Sequence, residues 1–359
     1  MDSKQKYKVL GLMSGTSLDG VDVAFCTFQY KNQQWQFKIE KAITVAYNAS
    51  WLKKLSQAHQ LSAQQLLQLH AEYGKYLGTL CKRFFYLYGI KKVDFIASHG
   101  HTIFHQPVKG FTFQLGCGYA LHAAAGKPVV CDFRSMDVAL GGEGAPLVPI
   151  GDQYLFSDYD VCLNLGGIAN LSQQVKGQRI AYDICFANMG LNYLAEKKGK
   201  LFDRDGALAA DGTMDENMLK KLSMIYKRIE TKRPSLGREF FEQHFVPVLN
   251  DETILLNDRL HTFTESVALQ IASAVNYSRK RISVFCTGGG AFNAYLVYRL
   301  VEHFGDRADL IIPEHDIIKY KEALVFAFLG VKRVRHEPNC LMSVTKAERD
   351  SSGGVLIGF

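Results

Sequence analysis

Residues 11–22 run Gly11-Leu12-Met13-Ser14-Gly15-Thr16-Ser17-Leu18-Asp19-Gly20-Val21-Asp22, a turn rich in glycine and hydroxyls between two apolar runs. Glycine lets backbone N–H groups approach an anion with no Cβ in the way, and the hydroxyls of Ser14, Thr16 and Ser17 add donors. Asp19 and Asp22 repel phosphate unless a divalent cation stands between them, and the Mg²⁺ that accompanies ATP is such a cation. No Gly-Lys-Ser/Thr follows, and the turn opens a strand rather than a helix, which excludes the P-loop. Taken alone, the segment equally suits an ordinary hairpin with Asx-type turns.

Two more glycine loops follow. Asn164-Leu165-Gly166-Gly167-Ile168-Ala169-Asn170 is a tight hairpin whose exposed amides suit the other flank of a polyphosphate. Thr287-Gly288-Gly289-Gly290-Ala291-Phe292-Asn293 ends a strand and starts a helix, so a base or ribose could lie on bare backbone beside the helix N-terminus. Each loop is weak evidence by itself; the three in this order are hard to dismiss. Asp183, in Ile180-Ala181-Tyr182-Asp183-Ile184-Cys185-Phe186-Ala187-Asn188, is read as ending a strand ahead of a helix. A carboxylate there can take the proton of an attacking hydroxyl or water, although an N-cap or a solvated loop Asp fits the position too. His99-Gly100-His101 with His105 has the spacing of a metal pair, but no later His/Asp/Glu cluster completes it, so substrate contact or loop structure is the better reading. Arg134, in Asp132-Phe133-Arg134-Ser135-Met136-Asp137, could grip a carboxylate with its two-pronged guanidinium, or hold a hinge loop through an Arg–Asp pair.

These groups need elements to carry them. Apolar runs at Lys8–Met13, Val21–Phe28, Trp35–Val45, Val93–Ser98 and Pro128–Cys131 read as strands. Helices are expected near Ser50–Ala58 and from an N-cap at Ser62 to about Tyr88. Near Gly141 the pattern restarts: strands at Asp160–Leu165, Ile168–Ser172, Ile180–Asp183, Ser283–Thr287 and Leu310–Ile312 alternate with helices, including one from Ala187 to Lys198 and one through Glu322 to Arg335. The alternation gives an α/β class. The order strand, Gly-rich turn, strand occurs at Val9–Phe28 and again at Val161–Ser172, which suggests two related lobes facing each other across a nucleotide cleft. The expected division is a first lobe of residues 1–138 completed by a tail of residues 338–359, and a second lobe of residues 139–337.

Composition narrows the classes. With 359 residues, 47% of them apolar, there is material for two packed domains. The net charge of +7 is spread out, with no dense basic run, which fits an enzyme for anionic ligands at least as well as a nucleic-acid binder. The polar start Met1-Asp2-Ser3-Lys4-Gln5-Lys6 is unlike a signal peptide, and the longest apolar run, Ala323–Val331, is far short of a membrane span. The eight scattered cysteines read as reduced thiols of a cytoplasmic protein.

The chain resembles the anhydro-N-acetylmuramic acid kinases, a family of the actin/hexokinase/Hsp70-like superfamily. The resemblance rests on Gly11 to Asp22, Ser98-His99-Gly100 with Thr102-Ile103, Asp132-Phe133-Arg134 through Gly144-Ala145-Pro146-Leu147-Val148-Pro149, Asn164 to Asn170, Arg233-Pro234-Ser235-Leu236-Gly237-Arg238-Glu239-Phe240, Gly288 to Gly290, and Glu322-Ala323. It implies a two-lobed actin-like ATPase (ribonuclease H-like) fold and a kinase that opens the anhydro bridge of the sugar with water and phosphorylates the freed oxygen. The product is N-acetylmuramic acid 6-phosphate, in cell-wall recycling. It further implies Asp183 as general base, with Glu322 assisting. Gly15, Thr16, Ser17, Leu18, Asp19, Gly20, Val21 and Asp22 are expected on the ATP phosphates with Mg²⁺. Gly166, Gly167, Gly288, Gly289, Gly290 and Asn293 are expected on the nucleotide, and Ser14, His99, Arg134 and Asn188 on the amino sugar. A homodimer is expected. Where the family carries Asp-Thr-Gly-Pro-Gly-Asn, this chain has Asp183-Ile184-Cys185-Phe186-Ala187-Asn188, and Glu143 and His101 replace two glutamines. The competing readings are a catalytically silent ATP-binding regulator on the same fold and a metal hydrolase built on His99 and His101.

Overall fold

The computed structural model describes all residues except 1–4, 16–17, 231–234 and 278–279. The chain forms two compact units, Met1–Phe156 with Tyr320–Phe359, and Ser157–Lys319. Sequence patterning put the divisions at 138/139 and 337/338. They fall at other points because of two close packings inside the first unit. A Cβ on Gly151, in the helix Pro149–Tyr154, would lie 2.3 Å from Val325 Cγ2, and one on Gly330 would lie 2.8 Å from Phe95. These two contacts, Gly151 with Val325 and Gly330 with Phe95, hold the later half of the helix His315–Val334 in the first unit.

The first unit's strands are β1 (Lys6–Ser14), β2 (Gly20–Lys31), β3 (Gln34–Ala46), β4 (Phe95–Gln106), β5 (Phe111–Leu115), β6 (Val129–Cys131) and, at the chain's end, β12 (Val355–Ile357). The second unit's are β7 (Val161–Leu165), β8 (Ile168–Val175), β9 (Gln178–Phe186), β10 (Ile282–Thr287) and β11 (Ala308–Ile311). The sheet orders are β12-β6-β4-β1-β2-β3, with β5 paired to β4, and β11-β10-β7-β8-β9. In each unit a β-meander of three antiparallel strands is extended on the other side of its first strand by two parallel ones. Both units therefore share the order 3-2-1-4-5, and the echo read from the sequence is a repeated topology of the α/β, ribonuclease H-like kind.

Local sequence explains the elements. Central β1 buries residues on both faces, among them Val9, Leu10 and Leu12, as a strand covered on two sides must. Edge strand β3 alternates polar and apolar residues through Lys38, Ile39 and Glu40. The helix Ala63–Leu87 starts with a reciprocal cap: Gln65 N–H donates to Ser62 Oγ at 3.4 Å, and Ser62 N–H donates to Gln65 Oε1 at 3.1 Å. Its buried stripe of Leu69, Tyr73, Leu77, Cys81 and Phe84 has helical spacing and packs on the first sheet's core. In the second unit, Leu163, Leu165, Leu171 and Cys286 face a core completed by Phe263 and Val267 of the helix Leu256–Ala274. All eight cysteines are free. No helix among the described residues is long and apolar enough to cross a membrane.

Candidate active site

The first unit carries the hairpin between β1 and β2. Between the two strands Leu18 sits at φ +60° and its N–H reaches Gly15 O at 3.4 Å. Thr16 and Ser17 lie outside the described residues. Asp19 is exposed at the turn, while Asp22 lies on β2 beside Val21 and accepts from Thr44 Oγ1 at 2.6 Å. Ser14 is only 3% exposed. Its hydroxyl is held between Tyr47 Oη at 2.6 Å and His101 Nδ1 at 2.9 Å. Burial pushes the His101 imidazole down to about 4, so the ring is neutral.

The histidines are placed by an irregularity in β4. Leu12 pairs with Ser98 but Ser14 pairs with His101, so β4 holds one extra residue there, with Gly100 at φ +74°. A Cβ on Gly100 would lie 2.5 Å from Leu115 O, which only glycine avoids. His99 and His101 consequently serve separate contacts. His99 Nε2 accepts from Arg134 Nε at 3.0 Å, and Arg134 Nη1 donates to Gly144 O at 2.7 Å. Arg134 follows β6 at the N-cap position of the helix Ser135–Ala139, and its guanidinium lies 5.8 Å from the Phe326 ring. The loop it grips is folded around buried Asp137, which accepts from Gly144 N at 2.8 Å and Thr345 Oγ1 at 2.7 Å. The hinge role foreseen for an Arg–Asp pair is thus divided, since Asp137 ties the loop and Arg134 binds its carbonyl. With one histidine on Ser14 and the other on Arg134, the pair is spent within the protein. Among the described residues no group of three or more His, Cys, Asp or Glu gathers as a metal site.

Glu322 immediately precedes Ala323, where the helix His315–Val334 crosses β1. A Cβ on Gly11 would fall 2.1 Å from Ala323 O, so this glycine sets the close approach. Crowded surroundings push the Glu322 carboxyl up and Arg134 opposes them. The side chain is nevertheless exposed, so water moderates that shift. Next to it in sequence, Lys321 Nζ stands 2.8 Å from Asp152 Oδ1, with both side chains buried. Sequence reasoning missed this pair, for nothing in a lone Lys and an Asp 169 positions apart marks them as partners.

The second unit gathers its expected residues more tightly. Asn188 N–H donates to Gly166 O at 3.1 Å, and the N–H groups of Ala187 and Met189 donate to Gly167 O at 2.9 and 3.1 Å. The hairpin's carbonyls thereby satisfy the first turn of the helix Asn188–Glu196. Because a trans peptide sets C=O and N–H in opposite directions, the Gly167 N–H points away from that helix. Asn188 Nδ2 donates to Leu165 O at 3.1 Å, and Gly290 approaches Asn188 Oδ1 closely. Gly288 has φ +85°, and a Cβ there would lie 2.6 Å from Asn164 Oδ1. Gly289 follows it in the same turn, and Asn293 caps the helix Ala294–Phe304 by accepting from Leu296 N at 3.0 Å. Both glycine loops and Asn188 are therefore one packed group.

Asp183 lies within β9, three residues short of the strand's end, rather than at its terminus. Strand register aligns Thr287, Asn164, Asn170 and Asp183 across β10, β7, β8 and β9. The alternating neighbours Cys286, Leu163, Leu165, Ala169 and Leu171 face the core, so this polar row occupies the other face. A bulge follows at once: Asn170 pairs with Asp183 but Ala169 pairs with Cys185. The family's glycines are replaced here, and Ile184 is the extra residue. Asp183 Oδ2 accepts from Leu236 N at 3.0 Å, and burial raises the carboxyl above the usual range against that bond. Arg233 and Pro234 of the same motif lie outside the described residues. Asn170 was visible in the sequence as part of a glycine hairpin, but its alignment with Asp183 follows only from register.

Comparison with known proteins shows the family. The family model described as anhydro-N-acetylmuramic acid kinase matches residues 7–358. The chain is 30% identical to the anhydro-N-acetylmuramic acid kinase of Sulfurimonas denitrificans over 97% of this chain and 98% of that one. It is 32% identical to that of Shewanella sediminis over 97% of each. Among solved structures, the activator of 2-hydroxyisocaproyl-CoA dehydratase from Clostridium difficile aligns at a TM-score of 0.44 and 14% identity, over 91% of this chain and 97% of that one. From the hairpin of the first unit to the polar row of the second, the chain belongs to the anhydro-N-acetylmuramic acid kinase family.

Proposed function

We propose that this protein opens the intramolecular bridge of anhydro-N-acetylmuramic acid with water and phosphorylates it from ATP, giving N-acetylmuramic acid 6-phosphate and ADP. This places it in cell-wall recycling and amino sugar catabolism in the cytoplasm. The observation that carries the reading is the family match from residue 7 to 358, within which Asp183 is retained. Asp183 takes a proton from the water that attacks the anomeric carbon. The bond from that carbon to the bridging oxygen breaks, and this oxygen takes the γ-phosphoryl group. The Asp183 carboxyl, raised by burial, holds a proton more strongly than an ordinary carboxylate, which suits it to take one from the attacking water. Glu322 assists, and Arg134 contacts the sugar. Orientation supplies much of the rate, because the oxygen freed by ring opening is already tethered to the substrate.

The hairpin of residues 15–22 is the first phosphate cradle, and Gly166 and Gly167 form the second. Gly288 to Gly290, with Asn293 holding the following helix, receive the nucleoside. Mg²⁺ fits the oxygen-only donors of Asp19 and Asp22, where it would neutralise phosphate charge. The protein acts as a homodimer. The test is turnover of the anhydro sugar with Mg-ATP, read by mass spectrometry as gain of one water and one phosphoryl group. ATP binding without any turnover would identify a silent regulator instead.

A further inference from the structure

Arg134 is anchored by neutral acceptors only. Its Nε–H donates to an imidazole nitrogen and its Nη1–H to a carbonyl. Among the described residues no carboxylate forms an ion pair with it, and Glu322 acts on it through its field alone. Arginine has no acceptor, so the bond at 3.0 Å makes His99 Nε2 the acceptor and puts the ring proton on Nδ1. That proton goes to Gly100 O at 2.9 Å. The ring is 4% exposed and lies 4.5 Å from the Phe326 ring, centroid to centroid. Both of its nitrogens are used and its face is covered, leaving no polar atom for a ligand.

We propose that His99 is a positioning residue, a neutral acceptor that fixes the Arg134 guanidinium and leaves its charge and its Nη2 edge for an anionic group of the substrate. A carboxylate in the same place would hold the guanidinium equally well but cancel its charge. The extra residue in β4 is what turns His99 toward Arg134, while His101 is turned toward Ser14. The proposal rests on the kinase reading above, in which Arg134 meets the sugar.

The test compares His99→Gln, His99→Asn and His99→Leu, with Arg134→Leu and the double variant His99→Leu/Arg134→Leu. A Gln carbonyl reaches the Nε2 position; Asn reaches only the Nδ1 side, and Leu offers no acceptor. Hydrogen bonds to charged groups set the scale. His99→Leu and His99→Asn should raise KM for the sugar about 10- to 100-fold with KM for ATP unchanged, and His99→Gln should stay within about 3-fold of wild type. In the Arg134→Leu background, His99→Leu should add nothing. Equal damage by Gln and Leu would overturn the proposal, as would a full effect of His99→Leu without Arg134. If His99→Leu fails to fold, the Gln/Asn pair carries the same comparison. Nitrogen-15 spectra of the ring give an answer independent of activity: a proton on Nδ1 of neutral His99 supports the proposal, and one on Nε2 refutes it. A wild type that leaves the sugar untouched would count against the kinase reading, while the spectra still decide His99.

Discussion

Replacing Asp183 with Asn removes a base while keeping its shape. The side chain accepts one hydrogen bond, from Leu236 N at 3.0 Å, and an amide oxygen can accept it equally well. The row of Asn164, Asn170 and residue 183 stays polar, so the sheet should tolerate the change with less than about 1 kcal/mol of lost stability. Proton removal by a placed carboxylate is worth roughly 10²- to 10⁴-fold, or about 2.7–5.5 kcal/mol of barrier. Asp183→Asn should therefore lower kcat with the anhydro sugar by that factor, and a steady-state assay with coupled ADP detection reads it. Burial raises the Asp183 carboxyl, so the wild-type rate should fall with decreasing pH at values above the ordinary carboxylate range. Asn cannot ionise, and the variant's residual rate should lack that acid limb. A fold-intact Asp183→Asn enzyme with wild-type kcat, or one that keeps the acid limb, would refute the assignment.

Two further outcomes test the frame around these groups. Gly288→Ala puts a side chain at φ +85° and a Cβ 2.6 Å from Asn164 Oδ1, so the loop must shift; KM for ATP should rise severalfold at a stability cost of about 1–2 kcal/mol, read by titration with ATP and by thermal melting. Burial pushes the Glu265 carboxyl up, but hydrogen bonds from Arg299 at 2.7 and 3.1 Å and from His303 at 2.6 Å overcome it, and the net displacement is downward. A lowered folded value gives stability that is present above the unfolded carboxylate range, about 4.3, and lost as pH falls through the folded value. Urea midpoints of wild type should accordingly exceed those of Glu265→Gln at neutral pH and converge with them in acid.

The site was legible where chemistry is written locally. Glycine loops ending apolar strands announced both hairpins and the Gly288 turn, and Ser62 announced a helix start. What escaped was set by distant partners. Neither β5 nor the helix Gly118–Ala125 stood out in the pattern, because β5 is defined by pairing with β4 and the helix by packing against Ala63–Leu87. The expected strand Val93–Ser98 stopped too early, since β4 continues through His99, His101 and His105, whose polarity suggested a loop. Asp183 was placed at a strand end for a similar reason: a carboxylate inside a strand makes sense only once Asn170 and Asn164 are beside it. The buried partnership of Lys321 with Asp152 had no local signature at all.

The strand β12 runs antiparallel to β6, so the last few residues finish a sheet that the first few began. This has a consequence for how the chain matures during synthesis. Residues 157–319 are contiguous and hold every strand of their own sheet, so that unit has all its pairings available as soon as it leaves the ribosome. Its neighbour in sequence must wait, half-built, with the edge of β6 uncovered until Val355 to Ile357 arrive. A nascent chain stalled just past residue 319 should expose that edge to chaperones, and trimming the final residues should harm the part of the protein that was made first.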